Sequence, residues 1–353
     1  MLKFDYLIIG QGVAGSCLAL KLIRQKKSFL LIDEDKHKAS KVAVGIFNPV
    51  VLKRFAPIWD AEAQLNWLYR YFGDFEKLLG QSFINELPVY RIFKQAEEIP
   101  VWKRKSKNEA LATFIQAQII HKQHPGISTP FGYAEVKKSG RIRLKECLQF
   151  FKQFLIEQNL YLQQRFDYDL LKMKNQRMVY KDITAERIVF CEGFGLKSNP
   201  LFNYLPLIGV KGEVLKIKTD GPVFPAVWKA FNFLLPDDEE HCYTASTYDR
   251  DDLTPEPTEN GKRQILKHLK EIYTGDFEVI EHTAGIRPTV IDRRPLIGEH
   301  PEWKNVFLLN GMGTRGTLLA PRMTEFLYDF MEHQKPIPAE ADLRRFDKLY
   351  YKN

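Results

Sequence analysis

The sequence predicts an α/β fold, α+β overall, in which one domain on a mainly parallel sheet is interleaved along the chain with a smaller domain on a mixed or antiparallel sheet. Three observations predict it. The 353 residues exceed one ordinary domain of roughly 100–200 residues. The first thirty-odd residues read as strand, glycine-rich turn, helix and strand, which fits the length of a βαβ crossover. Beyond them, helix-period and strand-period segments alternate with no internal repeat or low-complexity tract.

Composition bounds the class. Apolar residues make up 44% and charged residues 27%, and the mean hydropathy is -0.31, a composition that fits a disordered, collagen-like or membrane-spanning chain poorly. The N-terminus meets Asp5 and two glycines before any signal-type apolar core develops, so a cytoplasmic protein is expected. Cys17, Cys147, Cys191 and Cys242 are far apart with no C-x-x-C pair, the pattern of reduced thiols rather than of a disulfide framework or zinc ribbon. The formal net charge of +8 permits anionic partners without showing one.

The elements follow in order. Residues 4–9 form a short apolar run ended by glycine, the signature of a buried parallel strand. From Gly15 to about Arg24, Leu18, Ala19, Leu22 and Ile23 make one apolar helix face, with Lys21 and Arg24 off it. A second strand covers 29–32. Helical spacing recurs over 60–79, 144–157, 262–273 and 318–331, and strands are expected at 188–191, 214–217 and 306–310. Pro- and Gly-containing breaks at 125–132, 199–206, 221–225 and 254–261 are candidate domain crossings. The stretch 86–140 is the least periodic and carries the basic run Lys103, Arg104, Lys105, Lys107.

Gly10-Gln11-Gly12-Val13-Ala14-Gly15 is a G-x-G-x-x-G turn directly after a strand and opening a helix. Its glycines allow the tight turn, the close approach of a pyrophosphate and close helix–strand packing, while N–H groups and the helix dipole face the phosphates. Asp33, with Glu34 beside it, ends the second strand, where an acid accepts from ribose hydroxyls and disfavours a 2′-phosphate, hence NADP. This turn serves NAD or FAD equally.

Three further segments resemble the FAD-dependent D-amino-acid oxidase, glycine oxidase and sarcosine oxidase superfamily, and decide for FAD. Arg187-Ile-Val-Phe-Cys-Glu-Gly193 is similar to the family's late strand and small-x-Gly turn beside the cofactor, although Cys191 and Glu192 depart from the usual small residues. Ala284-Gly-Ile-Arg-Pro-Thr-Val-Ile-Asp-Arg-Arg-Pro-Leu-Ile-Gly298 resembles its G-x-R-P…D…P-x-x-G segment. Asn310-Gly-Met-Gly-Thr-Arg-Gly-Thr-Leu-Leu-Ala-Pro321 is similar to the Gly-rich turn and helix start set against the flavin ring. The resemblance covers the first 50 and last 75 residues well and the middle patchily. Thr314-Arg315-Gly316 with Ala320-Pro321, and Ile46-Phe47-Asn48-Pro49 after Gly45, look more like the flavin domain of the bifunctional enzyme that removes a carboxymethyl group from a tRNA wobble uridine. Its methyltransferase half has no room in 353 residues.

The resemblance implies a Rossmann-type FAD-binding domain over 1–85, 141–205 and 285–353, and a substrate domain over 86–140 and 206–284. Non-covalent FAD would contact Gly10, Gly12, Val13, Ala14, Gly15, Asp33 and Glu34 at the N-terminal turn, and Gly45 and Ile46 in the following loop. Cys191, Gly193, Gly311, Gly313, Thr314, Gly316 and Thr317 complete the set. No cysteine lies in the C-terminal flavin segments to attach the ring.

The implied activity is oxidation of the C–N bond of an amine or amino acid, N-alkyl glycine-like or D-, by hydride transfer to flavin. Arg287 would fork onto the substrate carboxylate, or else form a structural ion pair with Asp292. Arg315 would add positive charge at the flavin, or else point to solvent. Tyr243 and Tyr248, on an expected strand, either present a hydroxyl to substrate or pack. No metal is expected, since His121-x-x-His124 lacks a third ligand, and Ser16 and Ser40 lack an acid–histidine partner. The alternative activity acts on tRNA: the run at 103–107 and Lys137, Lys138, Arg141, Arg143 and Lys145 would face phosphates, with Trp102 stacking a base, although solvated faces are the usual meaning of such runs. A flavoprotein kept only for binding is the third reading.

Overall fold

A computed structural model describes residues 1–36, 39–174 and 176–351. The N-terminal βαβ unit begins with strand β1 (Leu2–Ile9), passes into helix α1 (Val13–Arg24) and returns as strand β2 (Phe29–Asp33). β1 lies between β2 and Ile183–Phe190, parallel to both, with Leu7 opposite Leu30 and Ile188. Flanked on both edges and covered on both faces, its C-terminal half has no polar face, which is why it reads as a continuous apolar run. Tyr161–Gln163 extends the sheet beyond β2, Val306–Asn310 pairs in parallel with Ile183–Phe190, and Leu171–Lys174, Arg177–Tyr180 and Leu296–Glu299 add antiparallel strands.

α1 is more buried than its periodicity predicts. It is enclosed by the sheet and by helices Ala61–Leu79, Leu144–Glu157 and Gly316–His333, so Lys21 lies inside rather than off the apolar face. Its ammonium pairs with Glu325 at 2.6 Å, and the Tyr71 hydroxyl donates to the same carboxylate. A buried cation is tolerable only with such a partner.

The second sheet is mixed. It contains β3 (Leu207–Thr219), β4 (Val227–Lys229), β5 (Phe233–Pro236), β6 (His241–Ala245) and β7 (Phe277–Val290), in the order β7-β3-β6-β5-β4, followed by Val89–Ile92 and Tyr133–Val136. Only the pairing of β4 with Val89–Ile92 is parallel. β3 runs well past the expected 214–217 because β7 pairs with it from Leu207 to Thr219 and carries the ladder through Gly209 and Gly212, while β6 pairs only with residues 214–218. Its outer face packs Leu215, Trp228, Leu234 and Cys242 on the helix Glu259–Leu269. That helix starts three residues before the expected Lys262, because the Thr258 hydroxyl caps the Gly261 N–H at 3.0 Å. The inner face joins the core of the first sheet through Val89, Val136, Val227 and Leu235.

Of the proline- and glycine-containing breaks, 199–206 leads from the first sheet into β3, whereas 125–132, 221–225 and 254–261 connect elements around the second sheet. The loop after β2 carries the short helix Ala39–Val42 against β7 and the strand Ile46–Phe47 against Gly140–Ile142. No described helix is long and apolar enough to cross a membrane.

Candidate active site

The glycine turn joins β1 to α1. Gly15 lies where any side chain would overlap the Gly10 carbonyl oxygen, so only glycine lets helix and strand close to this distance. Val13 and Ala14 are buried in the first helical turn. Gly12 caps α1 without a side chain, and that turn holds no acid. The Ser40 hydroxyl accepts the Val13 N–H at 3.1 Å. Asp33, only 7% exposed, accepts the Gln11 N–H at 3.0 Å and the Tyr161 hydroxyl at 3.0 Å, which ties the end of β2 to the turn. Burial and the Asp33 charge push the Tyr161 phenol well above its ordinary range. Glu34 is exposed.

A second helix start meets the first. After Gly311, the tight turn Gly313–Arg315 opens helix α2 (Gly316–His333), which also lacks a side-chain cap and an acid in its first turn. A methyl group on Gly316 would stand 3.1 Å from Val13 Cγ1, so the two uncapped helix N-termini lie side by side. Their dipoles and free N–H groups sum at one place. Gly193 accepts the Asn310 Nδ2 at 2.9 Å on its carbonyl, linking the late-strand turn to the C-terminal one. Cys191 is buried beneath Gly10, and desolvation holds its thiol well above the ordinary value. It therefore supports the turn as an inert group. Thr317 is buried and Thr314 exposed. The Thr289 hydroxyl, buried and without a hydrogen-bond partner, faces Gly313. Gly45 and Ile46 are held by Gly140–Ile142, and Arg141 Nε donates to the Val44 carbonyl at 3.1 Å.

These features fit FAD. Two helix N-termini without caps and an orphaned hydroxyl are what a pyrophosphate and a flavin edge would satisfy.

Arg287 and Arg315 stand next to this arrangement. Arg287 lies on β7, its guanidinium folded over Gly212 and donating to the Thr247 carbonyl at 3.1 Å. Neither arginine has a carboxylate partner among the described residues, and burial lowers both guanidinium pKa values, with the Tyr248 phenol partly offsetting it. The structural ion pair expected as the alternative for Arg287 does not form: Asp292 binds Arg345 Nε at 2.8 Å. Tyr248 is 68% exposed and lies beyond the end of β6, not on a strand as expected, with the Arg287 guanidinium 4.7 Å from its ring centre. Tyr243 is on β6 but away from Arg287. Its ring packs under Arg141 and Lys216, which share Asp237. Three of the four candidate substrate-facing residues therefore converge, and Tyr243 does not.

Two expectations for a nucleic-acid face are overturned. Trp102 is fully buried between Phe55 and Phe93 and donates to the Gln116 carbonyl, so it cannot stack a base. Arg141 is 4% exposed and is part of the domain junction. Its position in a basic run hid this role. The only sequence signal was Gly140, where any side chain would collide with the Asn85 carbonyl and the Phe47 ring, the mark of a tight junction.

The family model described as FAD dependent oxidoreductase matches residues 5–328. Over 94% of its length the chain is 24% identical to a glycine oxidase of Pseudomonas aeruginosa, covering 95% of that protein. It is 25% identical over 92% of its length to the tRNA 5-methylaminomethyl-2-thiouridine biosynthesis bifunctional protein of Idiomarina loihiensis, of which it spans 55%. The fold superposes on the crystal structure of glycine oxidase from Geobacillus kaustophilus with a TM-score of 0.80, 17% identity and 98% of each chain covered. A match across nearly the whole chain, on residues that build the two helix starts and the glycine turn, places this protein in the family of FAD-dependent oxidoreductases.

Proposed function

We propose that this protein oxidises the C–N bond of a carboxylated amine, an N-alkyl glycine or amino acid. The observation that carries the reading is the pair of half-buried, carboxylate-free guanidiniums, Arg287 and Arg315, meeting at Tyr248 beside two open helix N-termini. The likeness to a glycine oxidase along almost the whole of both chains supports it.

When bound, FAD supplies the acceptor for two electrons from the carbon next to nitrogen. The chain's residues do the rest. Arg287 grips the substrate carboxylate with two parallel charged hydrogen bonds and fixes its orientation. The same two cations disfavour an ammonium ion, so the amine is held neutral with its lone pair free to assist the bond change. Arg315 and the first N–H groups of α2 provide positive potential where negative charge accumulates. Tyr248, exposed to solvent, covers the substrate side.

Within this reading the cofactor sites are Gly10, Gly12, Val13, Ala14, Gly15 and Asp33, with Gly45 and Ile46, and Gly311, Gly313, Thr314, Gly316 and Thr317. Cys191 and Gly193 act as support. The substrate domain extends through the end of β7 at Val290, because that strand belongs to the second sheet along its whole length. Four buried free thiols support a cytoplasmic location.

The test is the visible spectrum of the FAD-loaded protein, recorded without air as N-methyl and D-amino acids are added. Bleaching by at least one carboxylated amine is expected, and Arg287→Ala should raise the concentration needed at least tenfold while affecting uncharged amines less. Persistent flavin bands with every amine, together with bleaching by a tRNA bearing a carboxymethylaminomethyl wobble uridine, would replace this reading with the nucleic-acid one.

A further inference from the structure

The chain between β6 and the helix Glu259–Leu269 crosses the second sheet as a strap that carries Tyr248. β3 holds it at successive points. Val214 pairs with Ala245, and Lys211 exchanges two backbone hydrogen bonds with Asp249, at 2.8 and 3.1 Å. Between these pairs two residues of β3, Gly212 and Glu213, face three of the strap, Ser246, Thr247 and Tyr248. Such a one-residue excess is a bulge, which re-aims a side chain out of the ladder. Here the Tyr248 ring centre lies 4.7 Å from the Arg287 guanidinium, and the Thr247 carbonyl accepts from that guanidinium at 3.1 Å.

The Lys211 side chain leaves the sheet on the other face. Side chains alternate along a strand, so Gly212 opens toward Arg287 while Lys211 shares the outer face with Leu215. Lys211 is fully buried, and its ammonium donates to Asp252 at 2.5 Å and to the Thr254 hydroxyl at 3.2 Å, just beyond Tyr248 on the strap. The Lys211 donor, with those of Thr254, holds the Asp252 carboxyl down to about 2, so it is ionised at neutral pH. Glu213 fixes the far end of the strap separately, accepting from the Thr258 N–H at 3.0 Å and its hydroxyl at 2.8 Å. Burying an ammonium carries a desolvation cost that an apolar residue, continuing the row of Leu215, would avoid. What the ammonium adds is a fixed place for the strap.

We infer that Lys211 is a positioning residue for substrate binding: from the face of the sheet opposite the substrate it fixes Tyr248 and the Thr247 carbonyl against Arg287, and so sets how Arg287 presents its guanidinium to a carboxylate. The inference rests on the functional reading above, in which Arg287 receives that carboxylate. A guanidinium forks onto a carboxylate in one plane, so a loosened strap weakens the fork without touching the reacting carbon.

The test uses methylthioacetate, a carboxylate with no amine to oxidise, and its uncharged amide. Both are titrated into the FAD-loaded protein while the visible flavin spectrum is followed, and amide hydrogen exchange is measured over 246–254. Lys211→Met places an apolar side chain in the outer row and should fold; Asp252→Ala removes the partner from the strap side, where Asp252 is partly exposed. Both variants are expected to speed exchange over 246–254 and to weaken methylthioacetate about tenfold, with the amide unchanged. In an Arg287→Ala background Lys211→Met should have no further effect on binding. Unchanged affinity, an equal loss for acid and amide, or the same loss without Arg287 overturns the inference. If the parent protein binds no methylthioacetate while Lys211→Met still speeds exchange over 246–254, the carboxylate role of Arg287 falls and the hold of Lys211 on the strap stands.

Discussion

Arg287 and Arg315 differ from the protein's surface cations in what surrounds them. Lys41 has Asp35 at 2.6 Å and Lys335 has Asp329 at 2.8 Å, so their charges are answered locally. The two site arginines are half-buried with a phenol instead, and in the proposed function an anion from outside the chain answers their charge. Glu192, in the turn beneath the cofactor site, is the acidic counterpart. Tyr168 and Asn199 donate to it, yet burial outweighs both and pushes its carboxyl up to about 7. The folded protein therefore keeps this proton to higher pH than the unfolded chain. Its stabilising balance is fully present below the unfolded value near 4.5 and is lost as pH rises through about 7. The full shift corresponds to about 3 kcal/mol, reduced by partial solvent screening. Glu192→Gln, neutral at every pH, should gain in melting temperature over the parent as pH is raised from about 5.5 to 8.5. A gap that stays flat across that range would remove Glu192 as the cause.

At the scale of elements, the site is two helix starts brought together. α1 and α2 lack side-chain caps and first-turn acids, an arrangement that leaves N–H groups unsatisfied in an isolated helix. Their contact through Gly316 and Val13 turns that defect into one concentrated positive end. Gly12 is the sensitive point. A larger residue there first meets only the Ser40 hydroxyl at 3.3 Å, the movable end of a side chain, so the fold tolerates it. The same side chain would occupy the approach of a pyrophosphate. Gly12→Val should purify as a folded protein with flavin content reduced at least tenfold, measured by absorbance against an unchanged circular-dichroism spectrum. A variant carrying full flavin would sink the N-terminal assignment.

Across the whole molecule, one buried guanidinium connects the sheets. Arg141 reaches from the strand Gly140–Ile142 to the Val44 carbonyl in the loop after β2 and, at 2.6 Å, to Asp237 of the second sheet. Burial would raise Asp237, but donors from Lys216 and Arg141 outweigh it and hold that carboxyl below its ordinary value. The clasp fixes residues 43–46 relative to the second sheet. Arg141→Met should weaken FAD binding about tenfold, read as the dissociation constant from flavin fluorescence on reconstituting the apoprotein. Asp237→Asn should weaken it in the same direction, and the double variant by less than the product of the two. Additive effects would show that the two side chains act separately.

The sequence by itself determined the features that depend on local backbone: the glycine turn between a buried strand and a helix, the acid at the end of β2, helix Leu144–Glu157, strand Val306–Asn310 and the family's C-terminal segments. Each rests on spacing within a few residues, which the chain displays directly. Only the tertiary structure decided which charges are answered. Asp292 follows Arg287 closely in sequence but turns to Arg345, and Tyr248, not Tyr243, stands over Arg287. Arg141 and Trp102, beside basic runs, proved to be buried. Partners of that kind come from chain segments tens of residues apart, and it is cross-strand register, not local periodicity, that assigns each side chain to a face and each charge to its neighbour.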